Sequence, residues 1–184
     1  MGSLLRLPAG RLKGRKEKFM LNVVLYEPEI ASNTGNIGRT CAAAGARLHL
    51  IEPLGFHLTD RNLRRAGMDY WNDLDVVRYI DYEDFLGKNP GADLYLASSK
   101  GKRVYTEIAY PRDCYLMFGK ESTGLPEELL LQHLERSVRI PMAEGARALN
   151  LANAAAVVIY EALRQNGFPG LKREGKLAGA EDSE

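Results

Sequence analysis

Two amides stand at the head of the segment RALNLANAAAVVIYEAL (147–163): Asn150 and Asn153, three residues apart, ahead of an apolar run through Val157, Val158 and Ile159. In a helix this spacing sets both side chains on nearly one face. One Asn is accounted for as an N-cap, whose side-chain oxygen accepts from an otherwise unpaired N–H of the first turn. The second has no capping vacancy, so it is either solvated or turned toward another loop, a ligand or a second chain. Two more segments, PEIASNTGNIGRT (28–40) and GKESTGLPEE (119–128), gather Gly, Asn, Ser and Thr beside Arg39 and Glu121. Glycines such as Gly35, Gly38, Gly119 and Gly124 let backbone N–H and C=O groups come close to a ligand, as reading an uncharged purine edge and a ribose requires. Taken singly, each glycine reads equally well as a turn. Three such loops on one side of a sheet favour a binding site.

Other chemistries lack their signatures. No GxGxxG, GxSxG or HExxH occurs, which leaves dinucleotide binding, serine hydrolysis and zinc proteolysis without a motif. GLKREGKL (170–177) imitates a phosphate-binding loop, but Leu177 replaces the Ser or Thr that would hold magnesium, and the segment follows a helix. His49, His57 and His133 are scattered, so no metal site is expected. Cys41 and Cys114 form no CxxC pair, which points to a reducing compartment rather than to disulfides. Cys41 reads as a small buried residue of the helix after the first loop. No apolar run approaches the roughly 20 residues that span a bilayer, and a cytoplasmic protein is expected.

The elements that must carry these loops alternate. Short β-branched or apolar runs recur at 21–27, 47–52, 75–80, 93–99, 114–119 and 137–142, with helical stretches at 35–46, 82–88, 126–134 and about 149–166. Such alternation predicts an α/β fold, with a mostly parallel sheet covered by helices on both faces. In open parallel sheets ligands bind beyond the carboxyl ends of the strands, which is where all three loops fall.

The 184 residues amount to one domain. Residues 1–19 hold six basic side chains against Glu17, a net +5 where the whole chain is +1. They read as a disordered leader or added extension, since MLNVVLYEP from Met20 resembles a natural beginning, or else as a basic arm for nucleic acid. A body over 20–170 and a flexible polar tail over 171–184 follow. Without the leader the body is slightly acidic, so bulk charge announces no polyanion. The local clusters Arg61, Arg64, Arg65 and Lys100, Lys102, Arg103 are either solvated surface or phosphate contacts.

NTGNIGRT (33–40), LMFGKESTGLP (116–126) and RIPMAEGARALNLANAAAVVIYEAL (139–163), in this order, resemble the three motifs of the SpoU-type RNA ribose 2'-O-methyltransferases, members of the knotted methyltransferase superfamily. With LNVVLYEPEI, IEPLGF and LRRAGMDY as further landmarks, the likeness covers Met20 to about Gly170 and is nearest to the small wobble-position tRNA members, which lack an added RNA-binding domain. It implies a C-terminal trefoil knot, a homodimer, S-adenosylmethionine bound in the knot, and the anticodon stem-loop of tRNA as substrate. It further implies that the backbone around Ala97, Gly119, Ile140 and Ala148 lines the cofactor pocket, with Met142 and Leu149 as apolar walls. Arg39 corresponds to the arginine that acts on the ribose hydroxyl, and Asn36, Glu121 and Asn150 fall on the polar positions around it. Asn150 and Asn153 then tie the loops of the site together, while Arg147, Tyr160, Arg64 and Arg65 are expected to serve the RNA, Arg147 and Tyr160 alternatively the dimer. A guanidinium stays protonated and offers no acceptor, so gripping an RNA phosphate is as physical a role for Arg39 as that of a base. Glu121 is expected to orient a basic side chain, such as Arg39, rather than to move protons. Ala148 and Ala152 stand where the family often has serines. Rival readings are methylation of another tRNA or rRNA ribose, and a non-catalytic RNA-binding module of the same fold.

Overall fold

The computed structural model describes residues 21–57, 71 and 74–175; residues 1–19 of the expected leader, Arg64 and Arg65 lie outside them. Seven strands, β1 (Asn22–Tyr26), β2 (Arg47–Ile51), β3 (Val76–Tyr79), β4 (Leu94–Ala97), β5 (Arg103–Val104), β6 (Tyr115–Phe118) and β7 (Ser137–Arg139), form one sheet in the order β3-β2-β1-β6-β4-β7-β5. Every pairing among them is parallel, as in Val23 with Leu48 and Leu116. Among the described residues the α-helices are α1 (Ala31–Ala44), α2 (Tyr82–Lys88), α3 (Glu127–Gln132) and α4 (Leu151–Gln165).

Strand periodicity divides the core in two, because successive side chains point to opposite faces. Val23, Leu25, Leu48, Leu50, Leu116 and Phe118 pack with α1 and α4 on one face. Val24, Ile51, Tyr79, Leu96 and Met117 pack with Phe85 of α2 and with Leu129 and Leu130 of α3 on the other. The expected α/β class, with helices on both faces, is what the chain adopts. Six strands fall within the runs read from the sequence. The seventh, β5, lies in the SKGKRV cluster, where only Arg103 and Val104 pair with β7.

The first helix departs most from expectation, beginning at Ala31 rather than near Gly35. Gly35 and Gly38 therefore belong to a buried helix face and not to a loop. A Cβ on Gly38 would stand 3.1 Å from Leu74 and 3.2 Å from Trp71, so this glycine serves close packing. The N-terminal N–H groups of α1 have no local side-chain cap. The two N–H groups just ahead of the helix, of Glu29 and Ile30, are met by a side chain from another part of the chain.

On the α2 and α3 face lies a buried polar chain. The His49 ring sits between Tyr79 Oη, 2.8 Å from Nδ1, and Asn22 Oδ1, 3.1 Å from Nε2. Since Asn22 Oδ1 can only accept, the proton resides on Nε2, and Tyr79 donates to Nδ1. Asn89, the residue after α2, donates in turn to Tyr79 Oη at 3.1 Å and so fastens the helix to the sheet. Burial, with the Arg47 charge as a lesser cause, pushes the His49 pKa down to about 4. The unfolded chain thus takes up a proton between about pH 6.5 and 4 that the folded chain refuses, and stability falls as pH drops through that window. Between pH 7 and 4.5 this amounts to about 2.5 kcal/mol. Urea unfolding at the two pH values should show a drop larger by that amount in the native protein than in His49→Gln; equal slopes would remove His49 as the cause.

Candidate active site

A cavity of about 420 Å³ opens beyond the carboxyl ends of β4, β6 and β7. Its lining includes Ala97, Gly119, Ile140, Met142, Ala148 and Leu149, the six positions expected to hold a cofactor besides Asn153. Glu121 and Asn150 line it as well, together with Ile30 and Asn33 from the start of α1. The turn after β6 forms one wall. It is closed by paired hydrogen bonds between Lys120 and Gly124, N–H to O at 3.2 and 2.9 Å. Gly124 has φ +74°, and a Cβ on Gly119 would stand 2.2 Å from the Gly124 carbonyl carbon. Only glycine fits at Gly119 for reasons of space, and it is strongly favoured at Gly124 for reasons of conformation.

The polar side chains form a continuous chain from the head of α4 through the first turn of α1 to the turn after β6. Asn150 Oδ1 accepts from the N–H of Ala152 at 2.9 Å and of Asn153 at 3.4 Å, capping α4. Its Nδ2 donates to Asn33 Oδ1 at 2.9 Å. Asn33 Nδ2 donates to Glu121 Oε1 at 3.0 Å, and Glu121 also accepts from the N–H groups of Glu29 at 2.8 Å and Ile30 at 3.3 Å. The capping question raised by the sequence has a compound answer: Asn150 both caps its helix and reaches a partner 117 residues away. Asn153 contributes its backbone N–H, while its side chain is exposed and outside the cavity lining.

Glu121 thus holds the two residues that lead into α1, and its charge lies at the positive end of that helix. Its orienting contacts are two backbone N–H groups and an amide. Glu29 faces it in reverse, accepting from Ser122 N–H at 2.9 Å and Ser122 Oγ at 2.8 Å. These bonds hold the Glu29 carboxyl below the usual carboxylate range.

Other expected site residues lie apart. Asn36 and Arg39 are exposed on α1, outside the cavity lining, and the amide that joins the network is Asn33, one turn before Asn36. Arg147 and Tyr160 are also exposed and outside the cavity lining, Arg147 directly beside Ala148 of that lining. Ala152 is buried in α4 with its N–H bonded to Asn150, so no hydroxyl is required there. Cys41 is fully buried, and burial pushes its thiol up to about 12, which keeps it inert. Among the described residues no cluster of His, Cys, Asp and Glu could hold a metal, and no helix is long and apolar enough to cross a membrane.

Residues 20–160 match the SpoU rRNA Methylase family. The tRNA (cytidine(34)-2'-O)-methyltransferase of Escherichia coli strain K12 is 49% identical over 152 residues, 82% of this chain and 97% of its own. A solved structure concerned with the 2-OH methylation of C/U34 on tRNA superposes with a TM-score of 0.76 at 45% identity, covering 81% of this chain and 97% of that one. The SpoU methyltransferase AviRb from Streptomyces viridochromogenes, solved in complex with AdoMet, gives a TM-score of 0.67 at 26% identity over 80% of this chain and 61% of its own. The three motif loops that build the cavity all lie within the matched span, and the chain belongs to the SpoU methylase family.

Proposed function

We propose that this protein is a cytoplasmic S-adenosylmethionine-dependent enzyme that methylates the ribose 2'-hydroxyl of the wobble nucleotide, C or U, in the anticodon loop of tRNA. The observation that carries this reading is the Asn150–Asn33–Glu121 chain, which draws all three motif loops around one cavity at the carboxyl ends of the strands. Relatives that match nearly end to end bear the cytidine(34) name, which supports the target.

The cavity fits the cofactor. Its volume of about 420 Å³ suits a nucleoside-sized ligand. Gly119, with no room for a Cβ, leaves bare backbone as a cradle, and Leu125, Ile140, Met142 and Leu149 supply apolar walls. When bound, S-adenosylmethionine supplies a methyl group activated by its sulfonium charge. The protein's own work is then mainly alignment. Glu121, Asn33 and Asn150 hold the loops in register. Arg39 grips the RNA phosphate beside the target ribose and orients the 2'-hydroxyl, whose proton passes to an oxygen of phosphate or water.

Residues 20–170 form one knotted domain in this reading. The loop after β4 supports the chain crossing that a knot requires: Ser98 N–H donates to Val138 O at 2.9 Å, and a Cβ on Gly101 would stand 2.3 Å from the Val138 carbonyl carbon. A homodimer is supported by the exposed segment 143–150 and by Val157 and Tyr160, apolar and exposed one turn apart on α4.

The test incubates the protein with unmodified tRNA and radiolabelled S-adenosylmethionine, then digests the RNA to locate the label. Label at the wobble nucleotide is expected. Label at another ribose would keep the chemistry and overturn the target; no label together with no cofactor binding would leave a non-catalytic RNA-binding module.

A further inference from the structure

We infer that Glu29 is a positioning residue for the cofactor-binding turn, setting the Lys120–Gly124 wall where it meets the cofactor and Asn33; the inference rests on the cofactor reading above. The turn is closed within itself by the Lys120–Gly124 pair of hydrogen bonds, so its shape is settled and its placement is what remains to be decided. The contacts that place it come from the segment after β1. Lys120 pairs with Glu27, and Glu121 accepts from Glu29 and Ile30 N–H. Glu29 alone in this segment works in both directions: its N–H donates to Glu121 Oε2 at 2.8 Å, and its carboxylate accepts from Ser122 N–H and Oγ at 2.9 and 2.8 Å.

Opposed hydrogen bonds converging on two adjacent residues fix rotation as well as distance. The backbone of Glu29 is itself backed by Gly55, whose N–H bonds Pro28 O at 2.9 Å and where a Cβ would stand 2.7 Å from Glu29 Cα. Glu29 therefore sits on a firm base, and the turn takes its position from it. A carboxylate accepting two bonds from one partner is stronger than a neutral acceptor in the same place. Releasing the turn would also loosen Glu121, through which the wall is tied to Asn33 and Asn150.

The test measures S-adenosylmethionine affinity by calorimetry on the full-length protein, well below the melting temperature of every variant. Glu29→Ala should raise the Kd about tenfold or more, as the loss of two charge-assisted hydrogen bonds entails. Glu29→Gln, which keeps one acceptor oxygen, should recover part of the affinity, and Ser122→Ala should raise the Kd roughly threefold. In the double variant Glu29→Ala/Ser122→Ala the serine change should add nothing, because its partner is gone. A merely structural role lowers the melting temperature and leaves Kd within about twofold of the native value, and that result would overturn the inference. So would a full serine effect in the Glu29→Ala background. If Glu29→Ala does not fold, Glu29→Gln and Ser122→Ala decide the matter in the same way. Absence of binding by the unaltered protein would remove the cofactor reading and this inference with it, an outcome distinct from variants that bind as well as the native chain.

Discussion

Arg39→Ala is expected to lower the single-turnover rate of tRNA methylation by roughly 10²- to 10³-fold while leaving S-adenosylmethionine affinity within about twofold of native. The reason is positional. Arg39 is exposed on α1 and does not line the cavity, whereas Asn33 on the same helix does. Six residues of helix separate their Cα atoms by about 9 Å along the axis. On the proposed reading, a guanidinium so placed serves the RNA rather than the cofactor inside the cavity. Fixing a phosphate with two parallel N–H···O bonds sets the ribose in line for attack, and a small error in that placement is costly. Arg39→Lys keeps the charge and loses the planar fork, so its rate should fall between the two. The measurement pairs quenched single-turnover assays with calorimetry. Near-native turnover in Arg39→Ala would dismiss the assignment, and a parallel loss of cofactor affinity would move Arg39 into the cofactor site.

Asn33→Ala should weaken cofactor binding by about tenfold or more and lower stability by about 2 kcal/mol, while Asn36→Ala should leave both within the range of surface substitutions. Asn33 is 6% exposed and bonded at both ends, to Glu121 and to Asn150. Its removal strips a partner from each, and the first and third motif loops lose their direct link. Asn36 is exposed, and the bond it is seen to make is through its backbone, accepting from Thr40 Oγ1 at 3.1 Å. Calorimetry and urea unfolding on the two variants separate the alternatives. Equal effects on cofactor affinity would mean that the amide chain does not shape the cavity. A loss confined to RNA turnover in Asn36→Ala would place that residue beside Arg39 on the substrate side.

The alternation of short apolar runs with helical stretches carried the parallel sheet. Runs such as LNVVLYE, with its two valines, and DLYLASS, with its leucines and tyrosine, are short, apolar and bounded by polar segments, and a strand's apolar character follows from burial on both faces, which leaves a local trace. Motif order carried the cavity too, since Gly119, Ile140, Met142 and Ala148 line it in the same segments that draw notice in the sequence. The two-residue strand β5 left no such trace. Its pairing with β7 depends on Gly101 lying against Val138, and two residues show no period.

What the sequence by itself determined is the α/β class, the three motif segments that line one cavity, and the family to which those motifs belong. Which amide faces inward was decided only by the tertiary structure. Asn33 and Asn36 lie about 60° apart around one helix, and the boundary of burial runs between them. The start of α1 was settled in the same manner. The N–H groups of Glu29 and Ile30 just ahead of it are held by Glu121 from 92 and 91 residues away, and Ile30 at the N-cap position offers nothing that a local rule could detect. Propensity and capping rules act over a turn or two of chain. The hydrogen bonds that assemble this site join residues 88 to 117 positions apart, and they exist only once the sheet has brought the loops together.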